Sequence, residues 1–323
     1  MSWLWQRKNP DFKMKRLLLY FTYFVPIGIF FLLFSKIGIT EVKGVFKEIN
    51  LDFLIMGIVL SVFGNLIISA EKWRQILKPL GLNIPFKKLF LIHTGSIPIK
   101  TISPMKSGML LRAVYLNKNY NLPLLKGTYS LFLTMVLNFF AVILFILVAS
   151  FISGIDSQRY VYLSLSVFSA CLLVYWILRG ESIRKIIKGY FNLWGSKFSV
   201  SAENVYESIK ISASRLVIPF AYAVFLVFFE LLNFKILSSA LGLTIPFLTV
   251  LLFASLTILI GNLPVTIHGL GTREAAVCFF FSAYGSSDKL LSLGITVSLV
   301  EYFLPVVIGL FLTKSFLVQL SGM

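Results

Sequence analysis

The chain has very little from which to build a metal or redox centre. Two histidines, His93 and His268, and two cysteines, Cys171 and Cys278, are the whole supply in 323 residues. They do not form a zinc or haem ligand motif. Both cysteines lie in apolar segments, so packed core thiols and no disulfide are expected, and neither metal nor cofactor is expected. Charge is scarce as well: Asp, Glu, Lys and Arg make up 13% of the chain, about half the share of an ordinary soluble domain. The longest polar interval, Arg179–Arg215, falls short of the roughly 50 residues that a separate soluble domain needs. A soluble catalytic domain is therefore not expected, and the activity is placed within or at a bilayer.

What the chain has in its place is apolar length. Hydrophobic residues make up 58% of it. Leu17–Phe34, Phe53–Ala70, Gly127–Ile155 and Tyr160–Leu178 carry no charge and reach the length of about 18 residues that spans a bilayer. Leu216–Phe234 and Leu290–Thr313 are each interrupted by one acid, Glu230 and Glu301. The N-terminal "MSWLWQRKNPDFKMKR" leads into a span-length segment without a small-residue cleavage site, so it reads as no cleavable signal peptide.

With six spans and a cytoplasmic N-terminus, only seven of the 30 lysines and arginines fall outside the cytoplasmic segments: Lys36, Lys43, Lys47, Arg159, Lys235, Arg273 and Lys289. Asp and Glu show no such asymmetry, as the positive-inside rule requires. The net charge of +17 thus reports topology and attraction to anionic lipid headgroups, and argues against nucleic acid as a partner. Both termini are expected in the cytoplasm, and the membrane is expected to be the plasma membrane.

A repeat runs through the sequence. "LGLNIPF" at Leu80–Phe86 returns as "LGLTIPF" at Leu241–Phe247, an offset of 161 (241 − 80). The same offset aligns Gly108 with Gly269, Arg112 with Arg273, and Arg74 with Lys235. Between Lys88 and Lys100 lies only "LFLIHTGSIPI", too short as a helix to cross a hydrocarbon core of about 30 Å. It reads as a re-entrant segment that turns at "PIKTISPMKSG" and returns as "MLLRAVYL". The second copy enters over Phe247–Gly261, turns at "GNLPVTIHGLGTREAA" and returns from about Thr272. Three full spans separate the copies, so they are inverted, a plan known from transporters. The fold class expected is an all-α polytopic membrane protein, one integral domain over 1–323. It has about six full transmembrane helices plus two re-entrant helical hairpins, in regions 71–126 and 232–287.

The second turn carries the chemistry. Pro264 cannot continue a helix, and Gly269 and Gly271 permit backbone conformations closed to other residues and let a ligand come close. Thr272 is the expected N-cap of the returning helix, whose free N–H groups and positive dipole end, with Arg273 beside them, favour an anion. Ser107 and Arg112 offer a weaker version in the first copy. The bland alternative is a tight turn without a ligand, Arg273 and Glu274 pairing with neighbours. Glu230 and Glu301 interrupt apolar spans, where a charge costs at least about 2.5 kcal/mol, so a functional role is the default. Their alternative is a structural ion pair with Arg273, Arg112 or Lys235, or a carboxyl that stays protonated. Glu301 is the more central, whereas Glu230 is expected nearer an interface. Asn138, Asn233 and Asn262 are further polar groups in apolar surroundings. His93 and His268 are expected either to contact a headgroup or to be satisfied by backbone.

The order "EKWRQILKPLG", "KTISPMKSGMLLRAVYL", "GNLPVTIHGLGTREAA" resembles the flippase-like transmembrane domain of lysylphosphatidylglycerol synthases, which also occurs as stand-alone membrane proteins. Pro264, Gly269, Gly271, Arg273 and Glu274 match its second-half signature, and Trp73–Arg74, Pro104, Gly108 and Arg112 its first. "VTIHG" departs from the usual serine- and glycine-rich turn, which leaves the role of His268 open. The resemblance implies a translocase, not an enzyme. It would move a phospholipid or a lipid-linked headgroup, aminoacylated or glycosylated, between leaflets, with no lysyltransferase activity. The substrate-binding candidates are then Gly108, Arg112, Glu230, Pro264, His268, Gly269, Gly271, Thr272, Arg273, Glu274 and Glu301. A proton- or ion-coupled transporter of a small solute, with Glu301 as proton carrier, is the alternative of another class. A lipid-presenting partner of a glycosyltransferase or lysyltransferase is the other. Whether the chain forms a homo-oligomer is left open.

The topology has a direct check. In a background lacking Cys171 and Cys278, Ser182→Cys and Ser286→Cys label from opposite sides of the membrane. Labelling from one side would overturn the inverted arrangement.

Overall fold

The structure is a computed structural model that describes residues 39–153, 213–262, 266 and 269–321. Every described element is a helix. Four of them are long and apolar enough to cross a membrane: Leu51–Leu80, Leu124–Ile152, Ser214–Ala240 and Ser287–Leu320. They contain or overlap four of the six expected spans, whereas Leu17–Phe34 and Tyr160–Leu178 lie outside the described residues. The chain is an α-helical membrane protein.

A short helix, α1 (Ile39–Lys47), precedes the first described span. That span starts as α2 (Leu51–Val62), where the Asn50 side chain accepts the amides of Asp52 and Phe53, the usual role of an N-cap asparagine. It widens into a π-helical turn, Phe63–Ile68, and continues as α3 (Ser69–Leu77). The apolar run stops at Ala70, but the helix does not. Glu71–Leu77 is its last part and carries Lys72 and Trp73 into the interior, each 1% exposed. A charged run that reads as a polar connection is thus a buried helix face.

Three helical pieces then replace a span: α4 (Phe86–Gly95), α5 (Ile97–Ile102) and, after a 3₁₀ turn at Pro104–Met109, α6 (Leu110–Tyr120). The spans α7 (Leu124–Ser153) and α8 (Val217–Ala240) are followed by a second broken pair. Its members are α9 (Phe247–Asn262) and α10 (Thr272–Phe280). The last span is α11 (Ser287–Ser298), a π-helical turn at Leu299–Phe303, and α12 (Leu304–Ser321).

Local geometry recurs at the offset of 161. Gly81 and Gly242 both adopt positive φ, 90° and 69°. The two end their helices with the same bonds: Leu82 N–H to Leu77 O and Leu243 N–H to Ser238 O, a left-handed C-terminal cap. The helices α4 and α9 begin at the corresponding residues Phe86 and Phe247. Packing is exchanged between the halves. The first broken helix, α4, lies along α12, and the second, α9, lies along α7. Two apolar clusters result. One joins Trp73, Leu89, Tyr115, Leu116 and Phe316, and the other joins Leu237, Leu252, Val277, Phe281 and Leu293.

The broken pairs meet the bundle at different ends. Tyr115 Oη donates to Gln319 (2.6 Å), and Lys118 reaches the Leu320 carbonyl (3.3 Å), which puts the open end of the first pair beside the end of α12. The other end holds the Asn50 amide on the Ala240 carbonyl (2.8 Å) and Thr249 on Tyr284 (3.2 Å), beside the open end of the second pair.

The α4–α12 seam is close enough to test. A Cβ on Gly95 would stand 2.8 Å from Phe316 Cβ and 2.9 Å from the Leu312 carbonyl oxygen. Gly95→Val is expected to cost about 1–3 kcal/mol by overpacking, read as a lowered thermal midpoint in detergent. Gly44→Ala, on α1 with nothing within 4 Å of the new methyl, is the control and is expected to be neutral or slightly stabilising.

Candidate functional site

The chemistry gathers where the two broken pairs stop. In the second, Gly271 is the N-cap of α10 at φ 82°, a conformation that other residues adopt at a cost. Thr272 is therefore not the cap that its hydroxyl suggested. It is the first helical residue, and its hydroxyl donates back to the Gly269 carbonyl (3.0 Å) and lies 3.2 Å from Thr266 Oγ1. Capping falls to Glu274, whose carboxylate accepts the Gly271 amide (2.6 Å) and the Ser298 hydroxyl. Ser298 in turn accepts from Arg273 Nη1 (3.3 Å), and the Arg273 guanidinium lies 3.6 Å from the centre of the Tyr302 ring. Arg273 and Glu274 are both buried, at 2% and 0% exposure. One serine thus stands between the basic and the acidic residue of the "TRE" sequence. Pro264 and His268 lie outside the described residues.

Glycine is required in this loop by contact. A Cβ on Gly269 would collide with the Gly261 carbonyl, and one on Gly108 would stand 2.5 Å from the Ile99 carbonyl oxygen. At both positions the returning segment touches the backbone of the incoming one, at corresponding points of the two halves.

In the first pair, Arg112 closes the end of α4. Its Nε donates to Ser96 Oγ (2.6 Å) and its Nη2 to the His93 carbonyl (3.0 Å), while Ser96 donates to the same carbonyl (2.9 Å). A guanidinium on the last carbonyls of a helix matches the negative end of its dipole. The face of Trp73 lies 5.5 Å from this guanidinium, and Trp73 is fixed by its indole N–H on Ser130 Oγ (3.0 Å). His93 takes part through its carbonyl; its Nδ1 is buried with no hydrogen-bond partner among the described residues. The expectation of a backbone-satisfied ring thus does not hold for that nitrogen.

Glu301 sits on the π-helical turn Leu299–Phe303, opposite the turn Phe63–Ile68. Such turns leave carbonyls without the regular helical partner. Here Ser61 Oγ donates to the Val300 carbonyl (2.7 Å), and Asn65 Nδ2 to the Glu301 carbonyl (3.2 Å) and to its carboxylate. Asn233, from α8, donates to the other carboxylate oxygen. Glu301 is therefore held by two amides. Glu230 is half-buried and faces the polar interior. Its charged neighbours are Glu301, Lys72, Arg273 and Lys100. Lys235 does not pair with it either and donates to the Ile245 carbonyl (2.6 Å).

The structure brings Arg273, Glu274, Glu301 and Glu230 into one polar interior. It adds residues that the sequence reading missed: Lys72 bonded to Asn138, with Asn65, Ser61, Ser298 and Tyr302. The signal for Lys72 was a lysine beside tryptophan at the end of an apolar run, which reads as a boundary. Only the continuing helix turns it inward.

The family described as "Lysylphosphatidylglycerol synthase TM region" matches residues 16–309. The UPF0104 membrane protein MJ1595 of Methanocaldococcus jannaschii is 25% identical over 297 residues, which cover 85% of this chain and 88% of that protein.

The Glu274 network has a measurable stability. Glu274→Ala removes the acceptor of the Gly271 amide and the Ser298 hydroxyl and is expected to lower stability by about 3 kcal/mol, since a bond to a charged group contributes about 1.5–3 kcal/mol. Glu274→Gln keeps one acceptor oxygen and is expected to cost less. Thermal midpoints of the two variants in detergent decide.

Proposed function

The chain belongs to the family of the lysylphosphatidylglycerol synthase transmembrane region, and from that premise we propose that it moves a lipid with a phosphate-bearing headgroup between the two leaflets of a membrane. In this reading the two broken pairs are re-entrant hairpins of an inverted repeat, over 71–126 and 232–287. The headgroup crosses between them while the acyl chains stay in the bilayer. Both termini face the cytoplasm, the membrane is the plasma membrane, and the chain carries no lysyltransferase activity of its own.

One observation carries the proposal. Four cationic side chains, Lys72, Lys100, Arg112 and Arg273, lie within the same interior as three acids, Glu230, Glu274 and Glu301. Charges are expensive at membrane depth and are retained where they contact a substrate or each other. An excess of cations suits an anion. Arg273 stands in the first turn of α10, where the helix dipole also favours negative charge. Arg112 stands at the corresponding place in the first half. A Cβ on Gly269 would stand 3.0 Å from Arg273 Nη2, so glycine there leaves that guanidinium uncrowded. The aminoacylated or glycosylated state of the headgroup is open within this proposal, and Glu274 and Glu301 would balance the arginines or face a cationic group on the headgroup.

Arg273 supplies the test. A planar guanidinium holds a phosphate by two parallel bonds, which an ammonium does not reproduce. Arg273→Lys is expected to impair translocation in proteoliposomes, and Arg273→Ala to abolish it. The affinity loss per contact is roughly ten- to a hundredfold, from about 1.5–3 kcal/mol for a charged hydrogen bond. A folded Arg273→Ala protein that translocates at the normal rate would refute the role. Thermal stability is measured alongside.

A further inference from the structure

We propose that Glu301 and Glu230 together bind one exchangeable proton, and that this proton is taken up together with the phosphate held beside Arg273. The inference rests on the translocase reading for its substrate, but its proton part is measured separately.

Glu301 is 6% exposed, and each of its carboxylate oxygens accepts from a different amide, Asn65 on one side and Asn233 on the other. Asn233 is fully buried, and its Oδ1 has no hydrogen-bond partner among the described residues. An amide presents a donor at one end and an acceptor at the other, and a protonated carboxyl is itself a donor. Half a turn of the Asn233 amide exchanges its two ends. The acceptor that is now orphaned then takes the proton of a neutral Glu301. The same two side chains are bonded in both protonation states, without any movement of the helices.

Glu230 lies on the same helix, less than one turn before Asn233. It is half-buried and makes no hydrogen bond or ion pair among the described residues. The charged groups that face it are Glu301 from the π-helical turn, Lys72 from α3, Arg273 from α10 and Lys100 from α5. The other spans packed on α8 carry charge only at their ends: Asp52 on α2, Lys126 on α7, Asp288 and Lys289 on α11, and none on α9. Among the described residues, Glu301 is thus the one negative neighbour of Glu230 in that interior. Two carboxylates that interact in a medium of low dielectric titrate as a pair.

The sign of the coupling follows. Protonating the pair removes a negative charge from beside Arg273 and Lys72. Those cations are then less compensated and hold an anion more tightly. By linkage the anion in turn favours the protonated pair. The proton comes from water on one side, travels as a neutral carboxyl O–H, and is released as the carboxylate reforms on the other. The phosphate moves in the direction of the proton.

The test uses the full chain in detergent and two probes, dihexanoyl phosphatidylglycerol and inorganic phosphate, with binding followed by calorimetry from mildly acidic to mildly alkaline pH. The expected result is tighter lipid binding on the acid side, by up to about tenfold per pH unit, the ceiling for one linked proton. Glu301→Gln is expected to bind without pH dependence, at the acid-side affinity. Glu230→Gln, which breaks no hydrogen bond, decides should the first variant fail to fold. Its pH midpoint is expected to move to lower pH, because Glu301 has lost its negative neighbour. Lipid binding that ignores pH, a dependence of opposite sign, or the wild-type profile in both variants overturns the proton while leaving the lipid. Inorganic phosphate bound with the proton linkage, and lipid not bound, upholds the proton and overturns the lipid. Binding of neither probe overturns both.

Discussion

The peptide bond is the constraint on which the rest of this molecule depends. Away from water each free N–H or C=O costs several kcal/mol, so a helix that stops inside the protein must have its end satisfied by other groups of the protein. Both broken pairs meet this demand with a buried charge. Arg112 donates to the carbonyl end of α4, and Glu274 accepts from the amide end of α10. The two solutions are opposite in sign because the two helix ends are opposite in polarity. Ser96 in one half and Ser298 in the other link the charge to its surroundings.

The same demand explains the π-helical turns. Each frees backbone groups inside a span, and the two turns lie beside each other: Asn65 on the first turn and Ser61 just before it donate to the Glu301 and Val300 carbonyls of the second. Glu301 is placed on one of these turns and Asn65 on the other. A regular helix would give neither the offset nor the open carbonyls. The carboxylate at the centre thus rests on a local distortion of its own helix and on the partners set beside it, and a sequence reading has no signal for either.

Other parts were legible. Four apolar runs predicted four described spans because length and hydrophobicity alone decide membrane insertion. The heptamers at Leu80 and Leu241 foretold matching helix ends, because Gly in a left-handed cap and Pro before a helix are local choices of the backbone. Gly269 takes the positive φ that its residue type permits, again a local choice. Thr272 misled because a hydroxyl before a helix is a good cap only when nothing better competes, and here a carboxylate three residues beyond Gly271 takes the amide.

The sequence by itself determined that this is a membrane protein, where its main described spans lie, that two of its segments are too interrupted to cross as single helices, and that arginines recur at the turns. These are properties of single segments and of their composition. Only the tertiary structure decided that Lys72 is buried, that Ser298 stands between Arg273 and Glu274, and that Asn65 and Asn233 from two different helices hold Glu301. Each of these depends on helices far apart in the chain meeting at a given rotation, and a few tens of degrees of rotation about a helix axis separate a lipid-facing side chain from one in the polar interior.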